Sequence, residues 1–353
     1  MMPPTSDEQI RFLVNLQRLL DEGLFVASYK FALLLSLADL SVECGDESGK
    51  PLPLTTEAIA EKFVQYYWRQ AMPYPAAKAA TILRQNIGQQ AAILNIVRQA
   101  REHHGDSITA MMSQRARWTA IVREVARIVR IMPLWKLQTV GREQLDFLYE
   151  NTGTGKTIEL KPGVAFCFRK FHALISDLVR GAWARYVRQN NLDLIGETAD
   201  LNEFLFGSER IPLAAVRPVL LDLQKGRCFY CRNPLTMANT HVDHFVPWAR
   251  YPVDLGHNFV LADSKCNNQK RDRLPACEHL EAWVERNNGY GEQIRGALAE
   301  RGIISELAAS IRVAQWAYGQ TEAAGGLTWL KADQMVPLLG GWRDLLPVNL
   351  PRS

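Results

Sequence analysis

Four of the chain's six cysteines and four of its seven histidines fall between residues 228 and 279. They are Cys228, Cys231, Cys266 and Cys277, with His241, His244, His257 and His279. Random placement along 353 residues would rarely gather them so closely. A Cys-x-x-Cys pair such as Cys228–Cys231 is either a zinc half-site, which stabilises a small module directly, or a redox pair, and no thioredoxin-like context surrounds this one. This stretch is expected to carry the chemistry.

The rest of the sequence bounds what kind of protein holds that stretch. The length suggests two or three domains, and 47% hydrophobic residues are enough for sizeable cores, which excludes general disorder. Six cysteines are too few for a disulfide scaffold. No run approaches 18 apolar residues, and the opening Met1-Met2-Pro3-Pro4-Thr5-Ser6-Asp7-Glu8 has neither a basic nor an apolar leader region. The expectation is a soluble cytoplasmic protein with reduced thiols and no membrane partner. The net charge of +4 is mild, but its distribution is uneven. Residues 1–70 carry ten acidic and six basic side chains, whereas residues 84–136 carry nine basic and three acidic.

The N-terminal half reads as helical. Asp7 to Leu20 places Ile10, Leu13, Val14, Leu16 and Leu20 on one wide face. Phe25 to Leu40 predicts a buried helix, and residues 54 to about 69 a capped one. The Ile59-Ala60-x-x-Phe63 spacing also fits the first helix of a helix-turn-helix, a pattern that any amphipathic helix can carry. Further helices are expected near Ala76–Arg101, Ser107–Val129 and Phe168–Gln189. The second of these carries Arg115, Arg117, Arg123 and Arg127 beside a core stripe. It is either a solvated basic face or a phosphate-contacting helix, and Arg123 with Arg127 share one side of it. Phe147–Tyr149 and Thr157–Leu160 read as two strands around a Gly-rich turn. The string Gly153-Thr154-Gly155-Lys156-Thr157 fails as a phosphate-binding loop, because Glu150 stands where a glycine is needed. Arg188–Glu203 is the expected linker.

Beyond it come, in order, Cys228-Phe229-Tyr230-Cys231, Val242-Asp243-His244-Phe245-Val246-Pro247, Asn258-Phe259-Val260-Leu261 and Cys266-Asn267-Asn268-Gln269-Lys270-Arg271-Asp272. They predict strand, strand and helix around a hard cation. Asp243 offers a carboxylate oxygen and Asn267 an amide oxygen, ligand types that suit Mg²⁺ or Mn²⁺. His244 adjoins the carboxylate and can take a proton from water. Strict strand alternation would send Asp243 and His244 to opposite faces, so the chain must turn there if both are to serve one site. Asn258 could hold His244 or that turn. Lys270 and Arg271, one turn past Asn267, are expected to contact phosphate. His241 reads as a surface or outer residue, and His257 as a structural residue or a hydrogen bond near phosphate.

These ordered pieces resemble the HNH family of ββα-metal endonucleases, in the variant whose final position is Asn. The resemblance spans roughly residues 213–287. It implies that His244 is the general base, that Asp243 and Asn267 bind the catalytic Mg²⁺ (or Mn²⁺), and that Asn258 supports the base. It further implies metal-assisted phosphodiester hydrolysis of double-stranded DNA. Many members enclose a structural Zn²⁺ with two Cys-x-x-Cys pairs; here the second pair is Asp263-x-x-Cys266. Cys228, Cys231, Asp263 and Cys266 can still form a tetrahedral knuckle, with Cys277 as a substitute ligand, or the thiols are merely buried without zinc. A separate domain ahead of such a unit resembles the accessory nuclease of Zorya-type defence systems. That implies restriction or anti-phage defence, with other components of the system as partners. The rival readings are a ribonuclease or toxin of the same fold and a non-catalytic, zinc-containing nucleic-acid-binding protein.

Glu278–Arg286, Glu292–Arg301 and Leu307–Tyr318 add helices, and Trp316, Trp329 and Trp342 suggest a packed tail. The expected fold is mainly α with a small α+β part. A mostly helical N-terminal domain at 1–195 would serve substrate or partner binding or regulation. An HNH domain at 205–353 would have its core at 213–287 and a helical C-terminal extension.

Overall fold

A computed structural model describes residues 2–75, 81–88, 90–150, 155–195, 200–207, 213–236, 238–303, 305–338 and 340–346. The chain divides into two compact units, Met1–Gly207 and Ser208–Ser353. Among the described residues the structure is mainly helical, with four two-stranded antiparallel sheets.

The first unit opens with α1 (Ser6–Glu22), started by a capping box in which Thr5 and Glu8 satisfy each other's backbone. Its buried face is Phe12, Leu16 and Leu19, and Ile10 is 59% exposed, with Val14 also outward. The wide face expected from spacing is therefore rotated, because Phe12 rather than Ile10 meets Phe147 and Phe168. The apolar run becomes α2 (Tyr29–Cys44), buried along almost its whole length. The next segment is a short strand, β1 (Leu52–Thr55), before α3 (Thr56–Gln70), with Thr55 as its N-cap. Helix α3 buries Ile59, Ala60, Phe63, Val64, Tyr67 and Trp68 against its neighbours, which explains the helix-turn-helix-like spacing as core packing.

The helix expected from Ala76 starts later, as α4 (Ala92–His104); residues 76–80 lie outside the described residues. Gln114 breaks the following stretch into α5 (Ile108–Ser113) and α6 (Arg115–Ile131), and α7 (Pro133–Lys136) follows. A hairpin of β2 (Thr139–Val140) and β3 (Glu143–Gln144) precedes β4 (Thr157–Leu160). Strand β4 pairs over its length with β1, with Thr55 opposite Thr157, and touches Tyr149 only through one bridge. The expected local hairpin is thus a long-range pairing. Most of its Gly-rich turn, residues 151–154, lies outside the described residues. Phe171 divides the long helix into α8 (Val164–Lys170) and α9 (His172–Asn190). Residues 196–199 of the expected linker lie outside the described residues, while α10 (Leu201–Phe206) packs into this unit through Tyr74 and Trp183.

The second unit begins with a short 3₁₀ turn and α11 (Arg217–Leu223). Strands β5 (Thr240–His244) and β6 (Phe259–Asp263) pair antiparallel, Thr240 opposite Asp263 and His244 opposite Phe259, and α12 (Ser264–Lys270) follows directly. Helix α13 (Cys277–Ala299) runs unbroken where spacing predicts two helices, and α14 (Leu307–Ala323) succeeds it. The tail contains a hairpin, β7 (Leu327–Lys331) with β8 (Gln334–Pro337), before α15 (Trp342–Leu345). Trp316, Trp329 and Trp342 are all buried. No helix of the described residues is long and apolar enough to cross a membrane.

Candidate active site

Strand β5 alternates exposed and buried residues only as far as Val242; Asp243 and His244 are both buried, each 8% exposed. Consecutive strand residues share the interior because the chain leaves the sheet at His244. Asn258 builds that departure. Its Oδ1 accepts the Val246 N–H at 2.7 Å, its Nδ2 donates to the Val246 carbonyl at 2.9 Å, and its own carbonyl accepts the Phe245 N–H at 2.8 Å. Asn258 thus holds the turn and not the imidazole. Phe245 then stacks on Trp283 of α13, 5.0 Å between ring centres. Arg286 of the same helix donates to the carbonyls of His257 and Phe259, fixing the start of β6. Burial pushes this guanidinium down to about 9.

The His244 ring is held on three sides. Trp248 and Phe259 meet it edge-on at 5.1 and 4.9 Å, and its Nε2 lies 2.7 Å from Oδ1 of the buried Asp254. Asp243 takes different partners. The Tyr230 hydroxyl donates to its Oδ2 at 2.6 Å, and the Lys270 ammonium lies 3.0 Å from Oδ2 and 3.3 Å from Oδ1. Lys270 also donates to the His244 carbonyl at 2.8 Å. Burial pulls the ammonium's pKa down, against the attraction of Asp243. Burial likewise drives the Tyr230 hydroxyl well above its usual range, with Asp243 adding to the rise.

Lys270 therefore departs from its expected role. Its side chain has no solvent exposure and is spent on Asp243 and the β5 backbone, so it is not a surface phosphate contact. Arg271 is exposed, in a left-handed conformation (φ 51°) that ends α12, and its Nε donates to the Asn268 carbonyl. Asn267 is partly buried and stands three residues before Lys270, which puts both on one side of α12. Asp243 and Asn267 are oxygen donors of the kind a hard divalent ion takes, and the Lys270 ammonium on Asp243 is the cation such an ion would share that carboxylate with.

Thirteen residues before Asp243, Tyr230 lies in sequence between two members of a second cluster. The ligand atoms of Cys228, Cys231, Asp263 and Cys266 all lie within 4.8 Å of one another. Cys277, at the start of α13, is not among them. Asp263 is the N-cap of α12, accepting the Cys266 N–H at 2.8 Å on Oδ1 while the Cys231 thiol donates to Oδ2 at 2.9 Å. Burial alone would raise this carboxyl, but those hydrogen bonds hold it below its ordinary value. The Cys266 thiol's hydrogen bond holds the Cys228 thiol down to about 6, despite burial. Three sulfurs and one carboxylate so close together are compatible with a zinc knuckle.

The other histidines lie outside both clusters. His241 is exposed and bonds Ser264. His257 is buried, 3.0 Å from the Gly291 carbonyl, and burial pushes it down to about 4, so it packs α13 rather than facing phosphate. Arg123 and Arg127 are exposed on α6 of the first unit, four residues apart. Two residues of the site have no signal in the motif order. Tyr230 is hidden between the zinc-spaced cysteines, and Asp254 lies in a loop whose one unusual feature is an acid within Tyr251-Pro252-Val253-Asp254-Leu255.

Residues 228–276 match the family model of HNH endonucleases. No curated protein matches the chain. The matched segment runs from Cys228 through β5, β6 and α12 and so takes in both clusters, and this chain carries an HNH endonuclease domain.

Proposed function

We propose that the protein is a metal-dependent DNA endonuclease or nickase. The observation that carries this reading is the buried Asp243–His244 pair at the end of β5, with α12 bringing Lys270 onto it, inside the matched segment. Asp243 and Asn267 would hold Mg²⁺ or Mn²⁺, which when bound supplies stabilisation of the charge that builds on the phosphate and the leaving oxygen. His244 takes a proton from the water that attacks phosphorus. Tyr230 and Lys270 hold the Asp243 carboxylate in one orientation, and Asn258 holds the turn that keeps His244 beside it. Cys228, Cys231, Asp263 and Cys266 would carry a structural Zn²⁺. Arg271, and Arg123 with Arg127, supply cations for the DNA backbone.

A buried imidazole–carboxylate pair next to a second buried carboxylate is more than a zinc-bound binding module requires, and this favours catalysis over binding alone. We place the protein in the cytoplasm, in restriction or anti-phage defence with other components of such a system. A nuclease without a sequence-reading motif needs a partner or trigger to spare its host. The direct test offers the purified chain labelled duplex DNA and single-stranded RNA with Mg²⁺. Cleavage of the duplex is expected, and cleavage of RNA alone would make it a ribonuclease. A defence role predicts that expression lowers phage plaque counts and that His244→Ala restores them.

A further inference from the structure

Asp254 is a buried acid in the loop between Trp248 and β6. The loop around it is tightly bonded: the Val253 N–H meets the Tyr251 carbonyl at 2.8 Å, and the Leu255 N–H meets the Val253 carbonyl at 3.1 Å. The Asn258 N–H then closes on the Leu255 carbonyl at 2.9 Å. One short segment therefore delivers two side chains to the same place. Asn258 fixes the backbone just after His244, and Asp254 reaches its ring at 2.7 Å. Trp248 and Phe259 prevent the ring from turning away.

We propose that Asp254 is the positioning residue for His244: it accepts the Nε2–H, fixes that tautomer, and leaves Nδ1 as the nitrogen that takes the proton. A carboxylate only accepts, whereas a neutral imidazole carries one N–H, so the contact selects the tautomer with hydrogen on Nε2. In the chemical step the O–H bond of the attacking water breaks and an Nδ1–H bond forms. The electron pair left on oxygen goes to phosphorus, and the phosphorus–leaving-oxygen bond breaks with its electron pair staying on the leaving oxygen, which takes a proton from solvent. The ring that has taken the proton still lies against the Asp254 carboxylate, 2.7 Å from Nε2. The inference rests on the reading of His244 as the base.

The test compares wild type, Asp254→Asn and His244→Ala. Asn has the same size but can turn its NH₂ toward Nε2, which reverses the tautomer. On plasmid with Mg²⁺, Asp254→Asn is expected to lose about 100-fold or more in kcat with KM within about threefold of wild type, the range typical of a displaced base. Independently of activity, imidazole ¹⁵N chemical shifts of the metal-free wild type should show His244 protonated on Nε2, and those of Asp254→Asn protonated on Nδ1. Asp254→Asn cutting within threefold of wild type while His244→Ala is inactive would overturn the role of Asp254 alone. Activity in His244→Ala would overturn the base reading and this inference with it. A wild-type ring protonated on Nδ1 would also overturn it, and that result does not depend on how either variant folds.

Discussion

The ammonium of Lys270 lies 3.0 Å from Oδ2 of Asp243, and neither side chain has appreciable contact with water. The pair joins the helix after the sheet to the strand that ends in His244, and the same ammonium bonds the His244 carbonyl. A buried ion pair of this kind adds little net stability over an apolar replacement, but losing one member leaves a buried charge uncompensated. The pair therefore sets geometry and charge balance at a carboxylate that also suits a divalent ion.

Lys270→Met should destabilise the second unit by about 3 kcal/mol, the usual scale for breaking one side of a buried pair. Because a divalent ion can replace the missing positive charge, Mg²⁺ should raise the melting temperature of Lys270→Met more than that of wild type. Thermal melts with and without Mg²⁺ check both statements. Equal melting temperatures for the two proteins without metal would mean that Asp243 does not depend on Lys270.

Cys228→Ser should remove a bound zinc and lower folding stability rather than act first on the chemical step, since a structural zinc contributes directly to folding. Elemental analysis should find one zinc per wild-type chain, and a chelator should reproduce the variant's lower melting temperature. A folded, active preparation without zinc would remove the knuckle, and with it the ligand role of Asp263.

Much of the site is legible in the sequence because its residues are read in order: Cys228-x-x-Cys231, Asp243-His244, Asn258 and Asn267 fall on adjacent elements of one small unit. What is not legible depends on tertiary packing. Lys270 has the spacing of a surface cation, yet the turn of α12 points it inward onto Asp243. Asp254 carries no motif, because its role arises from a loop folding back onto the His244 ring. In the first unit the helices α2 and α3 follow from an apolar run and a capped start, but the local turn signal pairs β4 with the wrong segment. Its partner β1 lies about a hundred residues away, and turn chemistry carries no information about such a pairing. The β7–β8 hairpin escapes a reading by pattern because Trp329 and its neighbours look like tail packing rather than a strand.

Arg123 and Arg127, exposed on one side of α6, should contribute to DNA affinity without regard to sequence. Replacing both with Ala should weaken binding alike on unrelated duplexes and reduce the slope of log K against log salt by about 2, roughly one unit for each phosphate no longer neutralised. Fluorescence anisotropy across a salt series measures it. An unchanged slope would make this a solvated face and assign DNA binding to the HNH unit.

The proposed metal-dependent cleavage turns on His244 acting in the chemical step. The decisive experiment incubates supercoiled plasmid with wild type and with His244→Ala, in Mg²⁺ and again with a chelator. Wild type should convert the plasmid to open circles if it nicks, or to linear DNA if it makes paired cuts, and the chelator should stop either. His244→Ala should bind the plasmid within a few-fold of wild type and leave it supercoiled, since a base acts in the chemical step and makes little contact before it. Cleavage by His244→Ala at a rate within about tenfold of wild type would contradict this role, because a positioned base contributes more than that.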